Sequence, residues 1–246
     1  VAPPHNLLCV AAPLDKAGYK VKIIDQRVDK DWYSKLTAEL FFNPIFVGIS
    51  AMTGTQIKFA MEVSRIVRQK GNTPIVWGGP HPTLLPNQVC GLADYVCVGE
   101  VDETIVDITR QIADGKADKL IISPLPDIEK LLPTPWHLIN VEKYVHPDIY
   151  LKGGRHLDVG QTSRGCPFFC KFCSSASIRE RKWRAMSPDK AIDLITKAVK
   201  DFNLNGIWLR DDEFFINQQR AAAIAKGIIP LNIKWYTSGP NTPNTP

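Results

Sequence analysis

Three cysteines carry the most direct chemical signal in the chain. Residues 162–175 read Thr-Ser-Arg-Gly-Cys-Pro-Phe-Phe-Cys-Lys-Phe-Cys-Ser-Ser, which sets Cys166, Cys170 and Cys173 in a C-x3-C-x2-C pattern. Three thiolates on one short loop can each hold a different iron of a cubane cluster and leave the fourth iron without a protein ligand. A structural zinc site would need a fourth ligand, and neither His146 nor His156 stands at a familiar spacing from the cysteines. A bacterial ferredoxin would show C-x2-C-x2-C-x3-C-P instead. A second group is acidic: Asp211, Asp212 and Glu213 follow the apolar run Ile207–Leu209. Carboxylates in that place either cap a helix or stand at the end of a barrel strand, where catalytic residues of such barrels collect.

A third group is made of small residues. Ser50-Ala51-Met52-Thr53-Gly54, Gly78-Gly79-Pro80-His81-Pro82 and Gly99-Glu100 each follow a short apolar run. If those runs are parallel strands, these loops lie beyond their carboxyl ends, where open α/β sheets bind ligands. Glycine there permits positive φ and removes a Cβ from the path of a flat ligand. Tight strand-to-helix turns would look the same.

The elements that must position these residues alternate in the first half. Leu7 to Ala17 reads as a helix ended by Gly18, Val21–Ile24 as a short strand, and 32–42 as a second helix. Ile45–Ile49 is an apolar strand, Thr55–Lys70 a helix ended by Gly71, and Pro74–Trp77 a strand stopped by Gly78-Gly79. Tyr95–Val98 is a further strand before a helix over 102–113. Such alternation predicts a doubly wound parallel sheet, flavodoxin-like (Rossmann-type), to about residue 114. Residues 115–157 are broken by Pro124, Pro126, Pro133, Pro135, Pro147 and Gly153-Gly154, with Trp136, Tyr144 and Tyr150 scattered among them. That stretch reads as a connector containing the domain boundary. Beyond it, Ser187-Pro188-Asp189 marks a helix start with an N-cap, followed by an apolar face at Ala191, Ile192, Ile195, Ala198, Val199 and Phe202. With Ile207–Leu209 and Ile233–Tyr236 as strands, residues 158–246 predict part of a (β/α) barrel. Ser238-Gly239-Pro240 and the Asn-Thr-Pro tail read as a loop, a disordered end or a truncation.

The cysteine loop resembles that of the radical S-adenosylmethionine superfamily. The resemblance implies a [4Fe-4S] cluster on Cys166, Cys170 and Cys173 whose open iron is chelated by S-adenosylmethionine, with reductive cleavage to a 5′-deoxyadenosyl radical. It also implies that Phe172 contacts the adenine and that Asp211, Asp212 and Glu213 take the amino group. Ser50-x-Met52 and Gly78-Gly79 are similar to the paired signatures of cobalamin-binding domains. Pro3-Pro4-His5-Asn6-Leu7-Leu8 and Val98-Gly99-Glu100-Val101-Asp102-Glu103-Thr104 resemble the start and end of that domain in cobalamin-dependent radical enzymes. Asn6 and Val101-Asp102 depart from the pattern, and the strand that precedes Pro3 in that family is absent, which suggests a fragment. On this resemblance Ser50, Met52, Thr53, Gly78, Gly79, His81, Gly99 and Glu100 line a cobalamin site. No Asp-x-His-x-x-Gly string is present, and Asp25-Gln26-Arg27 has arginine in the histidine's place. Arginine stays protonated and cannot coordinate cobalt. His81 is therefore expected as a pocket wall, and His5 as a loop residue.

The chain is thus identified as a member of the cobalamin-binding radical S-adenosylmethionine enzymes. That implies methyl transfer to an unactivated centre, with an oxidative cyclase of the Mg-protoporphyrin monomethyl ester type as the alternative activity and a non-catalytic cobalamin module as the alternative class. A methylthiotransferase would need a second set of loop cysteines, whereas Cys9 falls in a predicted helix and Cys97 in a strand. The expected partners are a small-molecule substrate and a reductant such as flavodoxin or ferredoxin.

Composition agrees with a folded protein. Of the 246 residues 44% are apolar and 22% charged, so a sizeable core can be buried. The net charge of +5 is mild, and the run Arg179, Arg181, Lys182, Arg184 reads as a solvated face or a dock for an acidic partner or anionic substrate rather than a nucleic-acid module. Without a membrane span or a signal sequence, a soluble cytoplasmic protein is expected, and the six cysteines read as thiols or metal ligands rather than disulfides.

Overall fold

The structure is a computed structural model that describes residues 1–147 and 154–239. The expectations for Tyr150, Gly153, Pro240 and the Asn-Thr-Pro tail fall outside those residues. The chain divides into two compact units, one of Asn6–Pro126 and one of Val1–His5 with Asp127–Pro246.

The first unit runs α1 (His5–Lys16), α2 (Trp32–Leu40), β1 (Val47–Ser50), α3 (Thr55–Lys70), β2 (Ile75–Gly78), α4 (Pro80–Leu84), α5 (Pro86–Val89), β3 (Tyr95–Val98), α6 (Ile105–Ala113) and β4 (Leu120–Ile122). The four strands are all parallel and lie in chain order. Alternation of side chains along β2 divides the core between two faces. Ile75 and Trp77 pack with Leu36, Leu40, Ala60, Ile66 and Val67 of α2 and α3, while Val76 packs with Leu14, Ile105, Ile108 and Ile112 of α1 and α6. Helices therefore cover both faces, as the alternating pattern predicts. Trp77 is fully buried and its indole N–H donates to Ser64 Oγ at 2.9 Å, so its one polar atom is satisfied. Side chains buried to this degree contribute about 1.5–3 kcal/mol each.

Three expectations change. Val21–Ile24 forms no ladder. Val21 and Ile24 still pack on the two different core clusters, as alternating strand residues would, but no strand pairs with them. The helix expected from residue 102 starts at Ile105, because Thr104 and Ile105 donate back to the Val101 carbonyl in a turn. The unit does not end near residue 114: β4 adds a strand beside β3 and extends it to Pro126.

The second unit begins with turns of 3-10 helix at Ile128–Lys130, Trp136–Leu138 and Val141–Lys143, which bury Ile128, Val141 and Tyr144. The presumed connector is thus structural along much of its length. There follow β5 (His156–Gly160), β6 (Ser163–Arg164), α7 (Ser175–Ile178), β7 (Arg184–Ala185), α8 (Pro188–Asp201), β8 (Gly206–Leu209), α9 (Gln218–Ile228) and β9 (Lys234–Thr237). A parallel sheet of order β5-β8-β9, with α8 and α9 in the crossovers, is the (β/α) pattern expected of the barrel. Its first strand, β5, straddles the boundary expected between residues 157 and 158. His146 and His156, rejected as zinc ligands on spacing, exchange backbone hydrogen bonds across an antiparallel bridge. Ser187 caps α8 by accepting from Lys190 N–H at 3.3 Å. Gly227 brings α9 against α8, since a Cβ there would lie 2.2 Å from Ile192 Cδ1. Among the described residues no helix is long and apolar enough to cross a membrane.

Candidate functional site

In the first unit the loops after β1, β2 and β3 are tied to one another. Ser50 and Gly78 are register partners, Ala51 N–H donates to Gly78 O at 2.9 Å, and His81 N–H donates to Ala51 O at 3.0 Å. His81 is buried, and its Nδ1 hydrogen-bonds Thr53 Oγ1 at 3.1 Å. The ring is therefore engaged in holding the Thr53 loop, as a wall residue would be. Thr83 Oγ1 donates to Gly79 O at 2.9 Å and accepts from Gly99 N–H at 3.1 Å, joining the second loop to the third. Glu100, next in the chain, is buried.

Gly79 and Gly99 have the positive φ expected of them, and the space of the missing Cβ is taken up by the chain itself. Gly79 has φ +97°, and a Cβ there would lie 2.9 Å from Ser50 Oγ and 3.1 Å from Ala51 O. Gly99 has φ +89°, and its Cβ would meet Ser123 O at 2.7 Å. Both let one part of the chain close on another. Only Gly78 leaves ordinary space, its nearest neighbour being Cys97 Cβ at 3.7 Å. Beside this packed floor, Met52, Thr53 and Gly54 stand exposed. Arg27, in the position where a cobalt-binding histidine would stand, places Nε 2.9 Å and Nη2 2.7 Å from the Asp25 carboxylate.

The sequence reading missed Thr83 and Ser123. Ser123 ends β4, donates its N–H to Val98 O at 3.0 Å and shares a 2.9 Å hydrogen bond with Thr104. The run Leu120-Ile121-Ile122 was the available signal, but three residues are too few to stand out as a strand.

In the second unit the cysteine loop leaves β6. Cys166 is half-buried, whereas Cys170 and Cys173 are exposed, and Cys173 N–H donates to Cys170 O at 3.0 Å. Burial pushes the Cys166 thiol up, a hydrogen bond from the Phe168 amide opposes that, and Glu213, Cys173 and Cys170 add to the rise. Among the described residues no group of three His, Cys, Asp or Glu side chains converges as metal ligands do. Phe172, the residue expected at an adenine, is 92% exposed.

The root of the loop is tightly held. Gly165, just before Cys166, has φ +91°, and a Cβ there would lie 2.1 Å from Lys182 O. The turn that supplies this carbonyl contains Glu180 at φ 52° and Arg181 at φ 55°, two consecutive left-handed residues. Arg181 lies 4.2 Å from the centroid of the exposed Phe169 ring. The basic run is thus partly committed to the loop: Arg179 Nε sits 3.9 Å from Asp212.

The acid run points its carboxylates three ways. Asp211 is buried and one of its oxygens accepts from Thr162 N–H at 3.1 Å, Thr162 Oγ1 at 3.0 Å and Ser163 Oγ. Its Oδ2 is buried with no hydrogen-bond partner. Burial pushes the Asp211 carboxyl up from the usual carboxylate range, against these donors and the nearby Arg220. Asp212 Oδ2 accepts from Gly165 N–H at 2.8 Å. Glu213 is buried, accepts from Phe215 N–H at 3.0 Å, and is pushed up by burial and by Asp211.

Two further groups were not foreseen. Arg220 of α9 donates to Met186 O at 2.7 Å and Thr162 O at 2.8 Å, clamping β6 to the residue after β7. Asp158 of β5 accepts from His5 Nε2 at 2.8 Å, from Gly160 N–H at 3.0 Å and from Arg210 Nε. Arg210 lies over Trp208, which stacks on Tyr236 at 4.8 Å. Burial pushes Asp158 up, but His5 and Arg210 outweigh it and hold it below the usual carboxylate range. His5 therefore opens α1 as a carboxylate partner and is not a loop residue.

Known proteins resemble the chain along most of its length. Residues 1–109 match the family model of the B12 binding domain. An uncharacterized methyltransferase of Pyrococcus horikoshii is 29% identical over 259 residues, which cover 96% of this chain and 55% of that protein. The anaerobic magnesium-protoporphyrin IX monomethyl ester cyclase of Cereibacter sphaeroides is 28% identical, with coverage of 95% and 42%. The chain spans about half the length of these curated relatives. Among solved structures, the radical S-adenosylmethionine methyltransferase of Kitasatospora setae, with cobalamin and a [4Fe-4S] cluster bound, superposes with a TM-score of 0.69. The match covers 94% of this chain and 48% of that one at 15% identity, and it shows a shared fold.

Proposed function

We propose, for a chain that belongs to the radical S-adenosylmethionine proteins with a B12 binding domain, that it binds a [4Fe-4S] cluster, S-adenosylmethionine and cobalamin and transfers a methyl group to an unactivated centre of a small molecule. The observation that carries this reading is that Cys166, Cys170 and Cys173 stand on one short loop whose root, Gly165, donates its N–H to Asp212 Oδ2 at 2.8 Å. Three thiols with no fourth protein ligand on their loop suit a cubane that keeps one iron open. When bound, the cluster supplies the electron that cleaves S-adenosylmethionine, and cobalamin supplies a transferable methyl group.

The chain's own residues bind and orient. Cys166, Cys170 and Cys173 would give up their protons to ligate iron, so loading would release protons. Phe172 offers an exposed ring to the adenine, and the run Asp211-Asp212-Glu213 supplies the carboxylate environment for the ammonium group. In the first unit Ser50, Met52, Thr53, Gly78, Gly79, His81, Gly99 and Glu100 form the floor and wall for cobalamin. With its Nδ1 hydrogen-bonded to Thr53 Oγ1 and its ring buried, His81 is assigned to the wall of the site and not to cobalt. A flavodoxin- or ferredoxin-like donor would supply the electron, and such chemistry suits a cytoplasmic protein that does not act on nucleic acid.

Anaerobic reconstitution with methyl-labelled S-adenosylmethionine tests the reading. Iron and sulfide should load, corrinoid should bind, and the product of a small-molecule substrate should gain the labelled methyl. The cyclase relative makes oxidative ring formation the second reading. It would give a product mass lowered by hydrogen loss with no label. A cob(II)alamin paramagnetic resonance spectrum with nitrogen splitting from the protein would contradict the assignment of His81.

A further inference from the structure

We propose that Asp212 is a positioning residue for the three-cysteine loop and does not itself bind S-adenosylmethionine. The proposal deepens the cluster assignment above and rests on it. Gly165 immediately precedes Cys166, so the orientation of the Gly165 backbone sets the direction in which the first sulfur leaves β6. That glycine is wedged. On one side its Cα faces Lys182 O so closely that a Cβ would lie 2.1 Å away, and on the other its N–H donates to Asp212 Oδ2 at 2.8 Å. Arg179 Nε, from the turn that also carries Lys182, approaches the same oxygen at 3.9 Å. Asp212 is the group that joins the root of the loop to the basic turn.

Its neighbours act on the preceding residues in the same manner. Asp211 gathers Thr162 N–H, Thr162 Oγ1 and Ser163 Oγ on one oxygen, and Arg220 holds the Thr162 carbonyl from the opposite side. Residues 162–165 are thus fixed before the first cysteine is reached. The run is divided: one oxygen of Asp211 and Asp212 Oδ2 are engaged at the root of the loop, whereas the Glu213 carboxylate accepts from Phe215 N–H. Groups that orient metal ligands without touching the metal change metal affinity by about 10- to 100-fold when removed.

The test compares Asp212→Ala and Asp212→Asn in the whole protein, reconstituted anaerobically. Iron and sulfide content, the paramagnetic resonance spectrum of the reduced cluster with and without S-adenosylmethionine, and thermal unfolding are read together. Asparagine keeps an oxygen for Gly165 N–H, so it should load iron like the unmodified protein and keep the spectral change caused by S-adenosylmethionine. Alanine should lower iron affinity by about tenfold or more and alter the cluster spectrum while the fold melts cooperatively. If alanine loads and resonates as the unmodified protein does, the proposal is wrong. If asparagine loads iron but loses the S-adenosylmethionine response, Asp212 is a ligand and the proposal is equally wrong. Should alanine fail to fold, asparagine decides alone: loss of iron from a folded Asp212→Asn protein would overturn it. An unmodified protein that takes up no iron and sulfide would instead sink the cluster assignment on which the proposal stands.

Discussion

The two units build their candidate sites from opposite materials. After β1, β2 and β3 the loops are closed by the chain itself, through Ala51, His81, Thr53, Thr83 and Gly99, and the glycines are used up in backbone-to-backbone approach. The cysteine loop is fixed at residues 162–165, but beyond Gly165 the cysteines stand half-buried or exposed with the single backbone bond from Cys173 to Cys170 between them. A flat ligand that contacts a surface over many atoms needs that surface beforehand. A cluster that forms covalent bonds to sulfur can complete its own loop, provided the loop's root is aimed.

Removing the sulfurs breaks this contrast most sharply. Replacing Cys166, Cys170 or Cys173 by alanine should abolish iron and sulfide uptake while corrinoid binding, measured by its visible absorption, stays within about twofold, a change below 0.5 kcal/mol. Conversely, Met52→Trp, at a half-exposed site beside the packed floor, should weaken corrinoid binding by about tenfold, or 1.4 kcal/mol, and leave iron content unchanged. Loss of both cofactors in either variant would refute the division.

The second unit also differs in burying charge where the first buries Trp77 and aliphatics. Asp158→Ala leaves Arg210 and His5 without their buried partner and should cost about 3–5 kcal/mol in denaturant unfolding. The sign of the pH effect follows from the depressed pKa of Asp158. Its stabilisation is present above the unfolded value of about 4 and is lost as pH falls through the lower folded value. Asp158→Asn should therefore flatten the acid limb of the stability curve, as followed by circular dichroism.

Two of the positive-φ glycines, one in each unit, offer a smaller, paired comparison. Gly79→Ala and Gly165→Ala each place a side chain in a left-handed conformation and should cost about 1–3 kcal/mol. The first should lower corrinoid affinity and the second iron affinity, with little crossover. Smallest of all, Ser187→Ala removes the cap of α8 and its 2.8 Å hydrogen bond to Glu129, and should lower stability by about 1 kcal/mol.

What could be read from the sequence was local. The helix Thr55–Lys70, the strand Tyr95–Val98 and the cap at Ser187 stand as expected, because periodicity, glycine stops and capping residues act within one turn or one strand. The cysteine spacing is equally local. Strand β5 escaped notice because His156-Leu157-Asp158-Val159-Gly160 places polar groups on one face, unlike the apolar runs of the first unit. What makes those polar groups tolerable inside is Arg210, 52 residues further on, and His5, 153 residues back. The separate duties of Asp211 and Asp212 were hidden for the same reason, since their partners lie 47 to 49 residues away. Arg220 gave no signal, because one arginine on an amphipathic helix is ordinary until its acceptors are known.

The turn that presses on Gly165 is a reserve of unspent stability. Glu180 and Arg181 both hold a left-handed backbone, which costs an L-residue about 1–2 kcal/mol each, and glycine at either place would relieve it. Relief at Arg181 would forfeit the guanidinium over Phe169, and a slacker turn would let the Lys182 carbonyl drift from the loop's root. Variants selected for heat resistance alone should accept glycine here, whereas selection for turnover should keep the costly pair. The turn is where durability and aim are exchanged for one another.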